Sequence, residues 1–345
     1  MDAKKRIILA LMFLGILTSC SGSKPLETGS GTPSTNWSEI ADSELPEYED
    51  VDVFVMAGQS NMEGSTQIQS RYGDDQYFWD YCVSNDLNYQ TYVDGFSSIK
   101  ISYHNKYNET VFNYSNPEEP MKGKFVPVKL GQGTTARHFG PEVGLAEALV
   151  NHYGTEKPVY LIKYASGATG FTSSTTHNWK SESSGSCGDL YLGIIQYVEN
   201  CLELIKQEEK NPVIKGFMWM QGEQDGGSKT AADAYKGYLL NFIDDLFTSF
   251  GPHASDKNKE NIHFIDGLIY DKVDKTWAHG HLVNQAKIEI SQLRENNHIV
   301  DTTETGLNLD IHSPGGDIYH FNVGSMLKLG AGFADVLIEN SIIRG

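Results

Sequence analysis

Ser60 stands where an apolar run, Val51 to Ala57, breaks into Gly58-Gln59-Ser60-Asn61, with a second glycine at Gly64. A hydroxyl lifted on such a turn can attack a carbonyl once a base removes its proton. The same residue types also build an ordinary tight turn, so other parts of the chain must decide. Among eleven histidines, His320 has the context of a base. Asp317 lies three residues ahead of it, and a helical pattern follows at once. In an Asp-x-x-His turn the carboxylate can accept one imidazole N–H while the other ring nitrogen faces a serine. The alternative is a surface turn that caps the last helix. Asp310 and His312 form a competing pair without a helix to fix them.

Two further turns carry donors. In "MWMQGEQDG" a strand ends at Met220, and Gln221, Gly222, Glu223 and Asp225 crowd the turn. An amide at a strand end, such as that of Gln221, can donate to a developing oxyanion. In "YASGATG", Gly167 presents a backbone N–H with no side chain in the way. Metal chemistry finds no support, because His279-Gly280-His281 is the one tight histidine pair and lacks a third ligand at a recognisable spacing.

These residues need a scaffold, and the chain supplies an alternating one. The runs 51–57, 158–165, 212–221 and 262–270 are short, apolar and bounded by polar or breaker residues, as buried strands are, and 298–302 is a weaker fifth. Helical periods fill the spaces, at 140–154, 190–206, 231–248, 279–295 and 323–340. This order predicts an α/β fold with a parallel sheet covered on both faces. Ligands of such sheets gather at the carboxyl ends of the strands. Ser60, Gly167 and Gln221 each follow the end of a predicted strand, which favours chemistry over a plain turn. Residues 65–130 resist the pattern. They show no sustained period and are crowded with tyrosines, so we expect an insertion near the site, with small strands of its own. Its aromatics would stack on sugar rings or simply form a small core.

Taken in order, these motifs resemble the SGNH-type serine esterases, and more narrowly the branch holding sialate O-acetylesterases and the acetylxylan esterases of carbohydrate esterase family 6. The matching residues are Gly58-Gln59-Ser60-Asn61-Met62, Phe139-Gly140-Pro141-Glu142, Ser166-Gly167, Trp179 with Leu190-Tyr191, Gln221-Gly222-Glu223 and Asp317-x-x-His320. The resemblance covers about 51–340. It implies a three-layer α/β/α flavodoxin-like domain that works without metal or organic cofactor. Ser60 would be the nucleophile, His320 the base and Asp317 its orienting acid, with Glu223 a candidate for that last role instead or as well. The N–H groups of Ser60 and Gly167 and the Gln221 side chain would form the oxyanion hole, and Gln59, Asn61 and Trp179 would touch substrate. Two features depart from the family. Gln221 stands where wider SGNH enzymes carry an asparagine, and the insertion aligns with nothing.

Bulk properties bound the setting. Lys4, Lys5 and Arg6 precede an apolar stretch, Ile7 to Ile16, that is too short to span a bilayer, and Leu17-Thr18-Ser19-Cys20 resembles a bacterial lipobox. We therefore expect residues 1–19 to be a lipoprotein signal peptide, Cys20 to be lipidated, and residues 20–49 to be a flexible tether rich in Ser, Gly, Thr, Pro and acids. As a coil that tether would reach on the order of 30 Å. Residues 50–345 would form the esterase domain, held at the membrane of the cell envelope by its lipid, on the periplasmic or cell-surface side. The formal net charge of −18 argues against nucleic acid as a partner. After Cys20, the odd set Cys82, Cys187 and Cys201 has no metal spacing. The function expected is removal of O-acetyl groups from carbohydrates. The alternatives are hydrolysis of another ester by the same machinery, and a non-catalytic glycan-binding lipoprotein.

Overall fold

In the computed structural model, residues 48–69, 76–104, 124–271, 277–302 and 317–343 are described. The signal segment, Cys20, nearly all of the tether and the Asp310/His312 pair lie outside them. The first strand, β1 (Glu49–Gly58), is buried from Val51 to its end, with Val53 to Met56 fully shielded from solvent. A strand so apolar on both faces must lie inside a sheet, and it does. β1 pairs in parallel with β6 (Val159–Ala165) on one side and β7 (Lys210–Met220) on the other.

The remaining strands, in chain order, are β2 (Thr66–Gln67), β3 (Phe96–Tyr103), β4 (Val126–Val128), β5 (His138–Phe139), β8 (His263–Gly267) and β9 (Asn297–Val300). The main sheet has seven strands in the order β4-β3-β6-β1-β7-β8-β9, parallel except for the β3–β4 pair. Strand succession reverses direction around β1, so the crevice at its carboxyl end is the topological switch point. β2 and β5 form a separate two-stranded sheet.

Flanking helices complete a three-layer α/β/α domain. They are α1 (Ser60–Glu63), α2 (Tyr77–Ser84), α3 (Tyr89–Asp94), α4 (Glu142–Tyr153), α5 (Asp189–Gln207), α6 (Glu223–Gly226), α7 (Lys229–Phe250), α8 (Gly280–Ser291) and α9 (Val323–Glu339). The α4–α9 contact is unusually close. A Cβ on Gly144 would lie 2.1 Å from the Leu327 carbonyl oxygen, and one on Gly330 would lie 2.1 Å from that of Pro141. Two helices thus meet backbone to backbone, and α9 carries the His320 turn at its amino end.

All five strands predicted from apolar runs are present, with ends shifted by a few residues. The insertion contains the small strands expected of it, β2 and β4, but it also holds larger elements. Within 65–130 lie two short helices, α2 and α3, as well as β3, an integral strand of the main sheet. β3 escaped notice because its buried positions include Ser98 and Ser102, which break the apolar run. Ser102 Oγ is satisfied by the Tyr197 hydroxyl at 2.9 Å. Of the aromatics there, Phe78, Tyr92 and Phe96 pack edge to face in the core rather than opening outward. Cys82, Cys187 and Cys201 are free thiols.

Candidate active site

The crevice beyond β1 is a cavity of about 590 Å³. Ser60, Gly167, Glu223 and His320 all line it, together with Gln59, Glu63, Ser65, His104, Thr134, Ser166, Trp277 and Tyr319. Four loops that are distant in sequence, those of Ser60, Gly167, Glu223 and His320, therefore meet at one rim.

Ser60 reaches the rim because β1 ends in a turn that only glycine permits. Gly58 has φ +147°, and a Cβ there would fall 2.0 Å from the Met220 carbonyl oxygen. The Gln59 N–H then donates to that same oxygen at 2.9 Å, tying the turn to the end of β7. Ser60 begins the one-turn helix α1, so neither its N–H nor its hydroxyl is used by the helix itself.

His320 is held by its own turn. Its Nδ1 lies 2.7 Å from Asp317 Oδ2, while Asp317 Oδ1 accepts the backbone N–H groups of Tyr319 at 2.9 Å and His320 at 3.1 Å. Burial works to raise the Asp317 pKa, but the His320 contact and the two N–H groups outweigh it and hold the carboxyl below its ordinary value. An acceptor on Nδ1 places the proton there and leaves Nε2 as the basic nitrogen. No hydrogen bond joins His320 Nε2 to Ser60 in this unliganded geometry. Such contacts commonly tighten only when substrate arrives.

Glu223 sits elsewhere in the network. It is 1% exposed, and its Oε1 accepts the Asn61 amide at 2.8 Å. Burial raises its pKa, with the Asn61 bond opposing. The ring of His320 is thus oriented by Asp317, and Glu223 faces the cavity without bonding to it.

The residues expected to touch substrate fall into two groups. Gln59 lines the cavity, yet its Oε1 accepts the Gln224 N–H at 3.2 Å and joins the β1 and β7 turns. Asn61 is buried away from the cavity and acts as a bracket. Its Nδ2 donates to Glu223, and its Oδ1 accepts the Phe321 N–H at 3.3 Å. Trp179 is fully buried against Trp219, with centroids 5.2 Å apart, and its Nε1 donates to Thr169 Oγ1 at 2.9 Å. It is a core residue that shapes the loop after β6, which corrects the substrate-contact expectation.

The oxyanion donors also need revision. The Gln221 amide donates to Asp225 Oδ2 at 2.9 Å and to the Thr169 carbonyl at 3.2 Å, and the residue is wholly buried. It braces the 169–172 loop through Asp225, which accepts from Phe171 and Thr172 N–H. Gly167 N–H does face the site, but Glu63 Oε2 occupies it at 2.9 Å. An incoming carbonyl oxygen has to displace that carboxylate. The sequence carried a signal for Glu63, which lies three residues after Ser60 and so shares its helix face. At the mouth stand Tyr319, 47% exposed, and Trp277, with ring centroids 6.1 Å apart, a pair the sequence did not single out.

The fold recurs in solved structures. A protein of Arabidopsis thaliana aligns over 84% of this chain and 98% of its own, with a TM-score of 0.55 and 19% identity. NanS covers 86% of this chain and 99% of its own, with a TM-score of 0.54 and 13% identity. XAC1771, a carbohydrate acetylesterase from Xanthomonas citri, covers 84% of this chain and 57% of its own, with a TM-score of 0.51 and 15% identity. No curated protein matches the sequence. The family of carbohydrate esterases described as sialic acid-specific acetylesterases matches residues 50–339, which includes every loop that meets at the cavity. That match spans the serine turn, the Asp-x-x-His turn and the sheet that brings them together, and the chain belongs to this carbohydrate acetylesterase family.

Proposed function

We propose that the protein is an extracytoplasmic carbohydrate O-acetylesterase that works through an acetyl-Ser60 intermediate. The observation that carries this reading is the 2.7 Å contact of Asp317 with His320 Nδ1, made at the wall of the cavity that Ser60 lines. His320 Nε2 takes the Ser60 proton as the hydroxyl oxygen attacks the acetyl carbonyl. The tetrahedral oxyanion is received by the Ser60 and Gly167 N–H groups once the Glu63 carboxylate has moved aside. Collapse expels the sugar alkoxide, which leaves as the alcohol with the proton from His320. Water, deprotonated by the same nitrogen, then releases acetate and restores Ser60.

The charge of the cavity bears on the sugar. Its lining carries the Glu63 carboxylate and no Lys or Arg among the described residues, while burial works against a second charge on Glu223. A substrate with its own carboxylate, such as O-acetyl sialic acid, meets like charge there, whereas a neutral acetylated xylan does not. The test is acetate release from an aryl acetate, acetylated xylan and O-acetyl sialic acid by the parent and Ser60→Ala. We expect the parent to favour the neutral polymer and Ser60→Ala to lose at least about 10³-fold on every substrate. Equal release by parent and variant would remove Ser60 from the mechanism, and a preference for the sialic acid would refute the charge argument.

The placement rests on the basic start, the short apolar run and Cys20. Cys20→Ser should shift the protein from the membrane pellet to the soluble fraction. An unchanged pellet would point to a different anchor.

A further inference from the structure

A second serine–histidine–aspartate series starts at the wall of the same cavity and runs outward from it. Ser166 lines it, and the Ser166 N–H donates to the Gly58 carbonyl at 3.0 Å, which pins this residue beside the end of β1. Ser166 Oγ is 3.5 Å from His177 Nε2, and His177 Nδ1 is 3.1 Å and 3.2 Å from the two carboxylate oxygens of Asp189. The next residue but one, Ala168, holds φ +57°, a left-handed conformation that a non-glycine residue keeps only when its surroundings impose it. Thr169 Oγ1 helps to impose it by donating to the Ser166 carbonyl at 2.6 Å. An exposed His–Asp pair is by itself worth little. What gives this one a role is the serine at its inner end.

We propose that Ser166, polarised by His177 and Asp189, is a subsite for a free sugar hydroxyl adjacent to the acetylated one. An ionised Asp189 can only accept, so His177 Nδ1 keeps its proton and donates to it, which leaves His177 Nε2 as an acceptor. Ser166 O–H then points outward to His177, and its lone pairs face the cavity. In that arrangement Ser166 accepts a hydrogen bond, and a partly deacetylated sugar presents a matching donor. The long 3.5 Å contact shortens when a ligand hydroxyl donates to Oγ, because each bond in such a chain strengthens the next. His177 and Asp189 are positioning residues that act through Ser166. A fully acetylated sugar has no hydroxyl to offer, so the subsite selects for substrates with a free neighbouring position.

This subsite rests on the esterase reading above, and its test separates the two. Methyl xylosides with a single acetyl and with all positions acetylated are compared with parent, Ser166→Ala, Ser166→Thr, His177→Ala and Asp189→Asn. In Ser166→Ala and His177→Ala the ratio of kcat/KM for the mono-acetylated over the fully acetylated sugar should fall about tenfold, through KM. Ser166→Thr, which keeps the hydroxyl, should restore the ratio, and Asp189→Asn, at an exposed position, should lower it in part. A ratio unchanged in Ser166→Ala, or an equal loss on both sugars, overturns the subsite. Acetate release by Ser60→Ala that vanishes when Ser166→Ala is added would make Ser166 a nucleophile and overturn it too. Failure of the esterase reading shows separately, as no turnover of either sugar by the parent.

Discussion

Two carboxylates were candidates to hold the imidazole, and they differ in what they touch. Asp317 bonds His320 Nδ1 and two backbone N–H groups, while Glu223 is buried and bonded to Asn61. Asp317→Ala should therefore lower kcat by about 10²–10⁴, the range expected when the orienting acid of a triad is lost. Glu223→Gln should cost less, and the reverse ranking would give the role to Glu223. The pH behaviour follows from the depressed Asp317 pKa. Its contribution to stability is complete above the unfolded carboxylate value of about 3.9 and is lost as pH falls through the lower folded value. Urea midpoints of the parent and Asp317→Asn should thus differ most at neutral pH and converge in strong acid. Ser60, His320 and Asp317 were legible because each has a type and spacing that chemistry requires. Trp179 and Gln221 were misread for the opposite reason. Whether a tryptophan or an amide faces a cavity or a core depends on partners such as Trp219 and Asp225, and sequence order does not give those.

Elements are brought into register by a few buried polar ties. Lys163, on β6 and 1% exposed, pairs with the fully buried Glu142 at the start of α4 at 2.9 Å. The same ammonium donates to the Glu63 carbonyl at 3.1 Å and to that of Gln132 at 2.9 Å. One cation thus links the serine turn, the sheet and the helix that receives α9. Removing it leaves Glu142 charged and unpaired in the interior, so Lys163→Met should cost about 3–5 kcal/mol in chemical denaturation. Adding Glu142→Gln should recover part of that loss, and a single variant as stable as the parent would contradict the tie. β1, β6, β7 and β8 were legible because strands buried on both faces leave continuous apolar runs, whereas β9, half-exposed at the sheet edge, left a weaker one. β3 was not, since its buried positions include Ser98 and Ser102, the latter bonded to Tyr197 on α5, and these interrupt the apolar run.

At the scale of the whole molecule, the order of the chain and the order of the site are different things. The sheet grows outward from β1, so the serine comes from its centre and from near the beginning of the domain. The imidazole comes from the turn before the last helix, which reaches the rim only because Gly144 and Gly330 let α9 lie directly on α4. A nascent chain that stops short of residue 320 therefore lacks the imidazole that the proposed mechanism assigns to Ser60 as its base. On that mechanism such a polypeptide is chemically silent throughout its synthesis. Under the proposed mechanism, turnover begins only when the final helix docks, so that completion of the fold is the switch that arms the site.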